Sequence, residues 1–60
     1  MLGKIVILKQ EHVKILNPDM KEFIIKNKDR RFYVEQVCET SAKLKGLYFW
    51  ITFDLLEVVS

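Results

Sequence analysis

The hydrophobic positions begin with one short continuous run. Ile5–Leu8 is apolar throughout, largely β-branched and bounded by a lysine on each side, which is typical of a strand covered on both faces. A second apolar group follows at Val13–Leu16 and ends in the turn-forming residues Asn17–Asp19. This second group fits either a short strand or the arm of a long irregular loop, and the pattern leaves both open.

The next segment, Met20–Asn27, is compatible with a helix. Asn17 is a suitable N-cap, and Pro18 suits the first helical position. Asp19 would lie favourably at the positive end of the helix dipole. Three apolar side chains would share one face: Met20, Phe23 and Ile24. On this interpretation the protein is a small α+β domain with a helix at about residues 18–27.

The same segment also fits a strand over Glu22–Lys26, joined by a turn at Asn27–Asp29 to the β-favouring run Arg30–Thr40. We favour the strand, because a short helix without alanine would depend wholly on tertiary packing. The Asn-Lys-Asp turn, in contrast, provides a local mechanism for a hairpin. The polar stretch Ser41–Gly46 is then expected to be a connection.

The clearest strand is Leu47–Phe53, where apolar and polar faces alternate. Asp54 and Leu55 break this period, so a one-turn interruption is expected at Phe53–Leu55, followed by a last short strand at Leu56–Val59. The alternation assigns four residues to the core, namely Leu47, Phe49, Ile51 and Phe53, and places Tyr48, Trp50 and Thr52 on the opposite face.

This order of elements resembles the SH3-like small barrels, which implies an all-β, five-stranded fold. The resemblance lies in a first strand at Lys4–Lys9, a long loop at Gln10–Met20, a meander of three strands, the short turn at Phe53–Leu55 and the terminal strand. Small bacterial and phage-borne members of this class often end in a similar aromatic strand and tail. The acidic first loop and the proline that mark peptide-binding SH3 domains are absent, since Thr52-Phe53 stands where that proline would be.

Composition supports the β assignment and limits the function. Val, Ile, Thr, Phe, Tyr and Trp make up 21 of the 60 residues, whereas alanine occurs once. A chain of this length is expected to form one domain over residues 1–60, and its stability is expected to be marginal. A cleft lined by many catalytic groups would remove core that so small a domain needs, so most classes of enzyme are excluded.

The formal net charge of +2 is too small for polyanion binding by charge alone. The charge is uneven, because residues 1–30 carry seven bases and four acids while residues 31–60 carry three bases and four acids. With one cysteine the chain has no internal disulfide, which favours the cytoplasm. Neither a membrane span nor a signal peptide is expected, because Gly46–Phe53 is the longest uncharged stretch.

The chemistry-bearing residues are few. His12 and Cys38 are the only soft metal ligands, and a structural zinc site needs about four such groups. A Cys38–His12 nucleophile pair is conceivable. We instead expect Cys38 to be a small core residue and His12 to be solvated in a loop. No phosphate-binding glycine loop, carboxylate pair or catalytic triad can be assembled. We therefore predict no enzymatic activity, no metal and no cofactor.

The densest basic cluster is Lys26–Arg31, where four bases face one acid: Lys26, Lys28, Arg30 and Arg31. At a hairpin tip these side chains could neutralise several phosphates of a nucleic acid. The alternative, which we favour, is a solvated turn whose charges protect an edge strand from pairing.

Three rings are assigned to the non-core face: Tyr33, Tyr48 and Trp50. Beside Arg31 they could bury a partner's apolar side chains, for which Tyr, Trp and Arg are the enriched types, or could stack on nucleic-acid bases. Alternatively, Trp50 closes one end of the barrel core. We expect a non-catalytic module that binds a protein partner or a second copy of itself. The alternative is a nucleic-acid-binding barrel, and no membrane partner is expected.

Overall fold

In the computed structural model, which describes residues 1–11 and 13–60, the chain forms a small sheet-rich domain with five antiparallel strands and one short helix. Two 3₁₀ turns connect these elements. In chain order the elements are β1 (Ile5–Leu8), the first 3₁₀ turn (Val13–Ile15), α1 (Pro18–Lys26), β2 (Phe32–Val37), β3 (Ser41–Leu44), β4 (Trp50–Thr52), the second 3₁₀ turn (Phe53–Leu55) and β5 (Leu56–Val58).

The five strands form one sheet in the order β4-β3-β2-β1-β5. β2, β3 and β4 make a meander, while β1 pairs with both β2 and β5. Within the described residues no pairing joins β4 to β5, so the sheet keeps two open edges. The closed five-stranded SH3-like barrel is therefore not confirmed. The turn expected at Phe53–Leu55 is present.

The strand predicted at Glu22–Lys26 is wrong, since this segment belongs to α1. The capping residues decide the structure locally. The Asn17 side chain accepts a hydrogen bond from the Met20 N–H at 2.9 Å, and Pro18 occupies the start of the helix. Ile24 is fully buried in the core, and the partly buried Met20 and Phe23 pack against that core. Capping and packing together outweigh the low helix propensity that favoured a strand.

Ser41–Leu44 forms β3 and is not the polar connection that we expected. Its Ala42 and Leu44 are both fully buried, whereas Ser41 and Lys43 alternate to the other face. The Cys38 N–H donates to the Ser41 carbonyl at 2.8 Å and closes the hairpin. The strand predicted at Arg30–Thr40 is accordingly shorter, because its last residues form the turn into β3.

The core lies between the sheet and α1. Of the four residues assigned to the core in the last long strand, Ile51 is buried, whereas Leu47 and Phe53 are partly buried and Phe49 is 39% exposed. Gly46, with φ of +93°, lies in the turn that precedes this segment. The strand is shorter than expected because Tyr48 and Phe49 form a bend, so that the strand begins only at Trp50. The buried set is Val6, Leu8, Ile24, Phe32, Val34, Ala42, Leu44, Ile51, Leu55 and Leu56.

The helices of the described residues are short. The longest, α1, has nine residues, and none is long and apolar enough to cross a membrane.

Candidate binding surface

Three consecutive aromatic residues lead into β4, and we call them the aromatic edge: Tyr48, Phe49 and Trp50. The Leu47 N–H donates to the Leu44 carbonyl at 3.0 Å and so closes the turn that precedes them. Tyr48 is 98% exposed, Phe49 39% and Trp50 47%. Large rings in this number are uncommon on the surface of a monomer unless they form a contact.

The aromatic edge is anchored to the helix through Phe49. The rings of Phe23 and Phe49 meet edge to face, with their centroids 5.3 Å apart and their planes at 75°. The ring centroids of Phe23 and the buried Phe32 are 6.5 Å apart. Phe49 therefore ties the turn to the core, while Tyr48 projects fully into solvent.

Trp50 lies on the sheet face opposite the core. It pairs with Lys43 of β3, whose neighbours Ala42 and Leu44 are both buried on the other face. With almost half of its side chain exposed, Trp50 does not close an end of the core.

Tyr33 shares this outer face but is separated from Trp50. It lies on β2, two strands from β4, and is 47% exposed. Its hydroxyl oxygen lies 3.9 Å from the position that a Cβ would take at Gly3, so the ring leans towards the side of β1. Lys43 stands on the strand between the two rings. The three predicted rings thus do not form one patch.

An ion pair occupies the space between Tyr33 and Trp50. The Lys43 Nζ donates to the Glu35 carboxylate at 2.7 Å, and both side chains are about one-third exposed or less by relative accessible area. A β-bulge between Val34 and Gln36 brings Glu35 towards β3 at this point. Both charges are therefore paired within the chain.

The basic cluster lies at the connection between α1 and β2 and not at a hairpin tip, which corrects the expected position. Lys26 is in the last helical turn and pairs with Glu22 at 3.3 Å. The Arg30 guanidinium lies over the Phe32 ring, 4.9 Å from its centroid. Lys28 and Arg31 are exposed, and among residues 1–11 and 13–60 neither makes an ion pair.

A chain of contacts connects this basic cluster to the aromatic edge. Arg30 stacks on Phe32, and Phe32 contacts Phe23, the ring that also holds Phe49. The sequence pattern misses this link because it assigned Phe49 to the core strand. The one sequence feature that indicates this link is the helical spacing of Phe23 with Met20 and Ile24. That spacing belongs to the helical interpretation of Met20–Asn27, which we ranked below the strand.

Cys38 is exposed in the turn between β2 and β3, so its predicted place in the core is wrong. A hydrogen bond from the Thr40 backbone lowers the pKa of the Cys38 thiol, and the Ser41 backbone acts in the same direction. Desolvation opposes this shift without reversing it. His12, its proposed partner, lies outside the described residues. In the part of the chain that is described, no three metal-ligating side chains come together.

The outer side of α1 carries a shallow apolar depression of about 290 Å³. Ile25, which is 49% exposed, is its main apolar residue. The hydrophobic pattern does not predict this feature, because it identifies only the core-facing side of the helix. Its lining residues are Pro18, Lys21, Glu22, Ile25 and Lys26.

Comparison with family models, with curated proteins and with solved structures finds nothing that matches this chain.

Proposed function

We propose that this protein is a non-catalytic binding module whose contact surface is the aromatic edge. The observation that carries the proposal is the run of three adjacent exposed rings on a turn that the Phe23–Phe49 contact anchors. An anchored ring loses little conformational entropy when a partner covers it. Tyr and Trp are also the residue types that dominate binding energy at protein interfaces.

The partner class that this surface favours is protein. The aromatic edge is uncharged, and Lys43, the cross-strand neighbour of Trp50, is neutralised by its ion pair with Glu35. A surface of this kind offers apolar contact area with few unpaired charges to desolvate. Tyr33 lies on β2, two strands from β4, and Arg31 lies in the connection before β2, so both are assigned a secondary role at most.

We infer further that the fold is an open variant of the SH3-like arrangement. Three features support this: the long connection between β1 and β2, the meander of β2, β3 and β4, and the 3₁₀ turn before the last strand. The helix α1 lies within the long connection and packs on the core. Such modules present binding residues on connections and strand ends while the sheet stays rigid.

The test is affinity capture with the purified protein, comparing Tyr48→Ser with Tyr33→Ser. Both variants remove one exposed tyrosine hydroxyphenyl group, but only Tyr48 belongs to the aromatic edge. The proposal predicts that proteins retained by the native chain are lost with Tyr48→Ser and kept with Tyr33→Ser. Retention of the same proteins by all three forms would contradict it.

Nucleic-acid binding is the second candidate, and one observation favours it. The contacts from Arg30 through Phe32 and Phe23 to Phe49 place a basic cluster beside exposed rings. Phosphates would contact the lysines and arginines of residues 26–31 while bases stack on the rings. Trp50 is the single tryptophan, so its fluorescence reports binding of single-stranded and duplex oligonucleotides. Unchanged fluorescence at micromolar protein and low salt eliminates this candidate.

A further inference from the structure

The strand β4 is an open edge with unpaired backbone groups. On the side of β3, the Phe53 N–H donates to the Thr40 carbonyl at 3.0 Å, and Ile51 is paired with Ala42. Successive residues of an antiparallel strand direct their backbone groups to opposite sides. Trp50 and Thr52 therefore direct theirs away from the sheet, where no other strand of the described residues lies.

This edge strand is short, with three residues, but it carries none of the chemical protections against pairing. Natural edge strands carry charged residues, proline or a bulge that hinder the approach of a second strand. β4 and its flanking residues, Gly46–Phe53, contain neither a charge nor a proline, whereas the opposite edge strand β5 carries Glu57. The bulge of this sheet lies between β2 and β3 and leaves β4 regular.

We propose that two copies of this chain associate through β4, with the two β4 strands antiparallel and Ile51 at the two-fold axis. This inference rests on the proposed function, because the rings of the aromatic edge flank the pairing strand. In this register the Thr52 N–H of each copy donates to the Trp50 carbonyl of the other. The two sheets become one continuous sheet across the interface.

A second copy fits this edge better than an unrelated strand for a reason of symmetry. In an isologous contact the residues near the two-fold axis lie beside their own counterparts, so a charge there would face the same charge of the other copy. The uncharged stretch Gly46–Phe53 avoids that repulsion altogether. A domain of sixty residues also has little core, and association is a common way to stabilise one of this size.

The available area predicts the strength of the association. A fully exposed aromatic side chain offers roughly 150–250 Å², so the exposed fractions of Tyr48, Phe49 and Trp50 supply about 350 Å² per copy. A standard interface takes about 800 Å² from each partner. We therefore expect a weak and reversible dimer rather than a permanent one.

Thr52→Pro tests the strand pairing by removing one backbone N–H, that of residue 52. Thr52 has φ of −65°, the value to which proline is restricted. Because the neighbouring Phe53 N–H donates towards β3, to the Thr40 carbonyl, the alternation of the strand directs the Thr52 N–H away from the sheet. The preceding Ile51 is extended, as a residue before proline must be. The substitution thus removes the donor to the second copy while the monomer keeps its own bonds. Thr52→Ala is the matched control, because it alters the side chain and keeps the N–H.

The measurement is sedimentation velocity of the full chain from about 5 to about 500 µM, a range suited to a small interface. We expect the native protein and Thr52→Ala to shift from monomer to dimer, and Thr52→Pro to stay monomeric with an unchanged circular dichroism spectrum. A native chain that is monomeric throughout, or Thr52→Pro dimerising like the native chain, overturns the proposal.

The same experiment separates this inference from the proposed function. If the native chain stays monomeric while Tyr48→Ser loses captured proteins, self-pairing is overturned and the binding surface is supported. If Thr52→Pro still dimerises and Tyr48→Ser does not, the rings form the contact and strand pairing is overturned. A third outcome is that Thr52→Pro abolishes dimerisation while Tyr48→Ser leaves the captured proteins unchanged. This outcome supports self-pairing and contradicts capture of other proteins through the aromatic edge.

Discussion

The ring of Phe23 meets the ring of Phe49 edge to face at a centroid distance of 5.3 Å, and this contact joins the only α-helix of the described residues to the turn before β4. It explains why a segment with three exposed aromatic residues keeps a defined position. It also places the basic connection after α1 beside that segment, since Arg30 stacks on Phe32 within the same group of rings.

Replacing Phe49 is expected to destabilise the fold, because its ring is part of the anchored cluster. Burying a phenylalanine completely is worth about 3–5 kcal/mol against alanine. Since Phe49 is 39% exposed, we expect Phe49→Ala to lower the free energy of unfolding by about 1–3 kcal/mol. Urea denaturation measures the change. Tyr48→Ala is the control, at less than about 0.5 kcal/mol, and equal losses for the two variants would show that Phe49 does not anchor the turn.

The N-cap of α1 is expected to contribute measurably to stability. Asn17→Ala removes the acceptor of the Met20 N–H and should cost about 1 kcal/mol. Asn17→Asp keeps an acceptor at the same place and should cost less. Denaturation followed by the far-ultraviolet helix signal tests both variants. A strand at Glu22–Lys26 would leave the two variants indistinguishable from the native chain.

Trp50 and its neighbour Ile51 are expected to differ sharply in their effect on stability. Trp50 is 47% exposed on the outer face, so Trp50→Ala should leave the protein folded with a loss of about 1 kcal/mol. Ile51 is 1% exposed, and Ile51→Ala should cost about 2–5 kcal/mol. Thermal unfolding of the two variants gives the comparison. A larger loss at Trp50 than at Ile51 would place the tryptophan in the core.

The Cys38 thiol is expected to ionise at a lower pH in the folded chain than in the unfolded one. The Thr40 backbone hydrogen bond favours the thiolate, so the pKa is lowered on folding. The associated stabilisation is present above the unfolded pKa and is lost as the pH falls through the folded pKa. The pH dependence of alkylation by iodoacetamide, measured with and without urea, gives the two midpoints. If the alkylation midpoint of the folded protein lies at or above that of the unfolded protein, the hydrogen bonds at Cys38 do not stabilise its thiolate.

The sequence pattern predicted those elements whose periodicity is unambiguous. Ile5–Leu8 forms β1, and the 3₁₀ turn and last strand lie where the break after Phe53 indicated. Met20–Asn27 was harder, because the cap at Asn17 and the β-favouring side chains of the segment support opposite structures. The choice depended on tertiary packing of Ile24, which periodicity alone does not contain.

The candidate surface was predictable only in part, for related reasons. Alternation placed Trp50 on the outer face correctly, because it lies within a regular strand. It failed at Phe49, which lies before β4 in a turn where alternation does not hold. The separation of Tyr33 from Trp50 depends on β3, a strand that the polar composition of Ser41–Gly46 concealed.

Amide hydrogen exchange of β4 in dilute, monomeric protein tests most directly the claim that this strand is an open edge beside exposed rings. Ile51 faces β3 and Thr52 faces outward. We expect a protected Ile51 N–H and a Thr52 N–H that exchanges almost as fast as in an unfolded peptide. A Thr52 N–H as strongly protected as that of Ile51 would show that the edge is closed and that β4 is not free to pair.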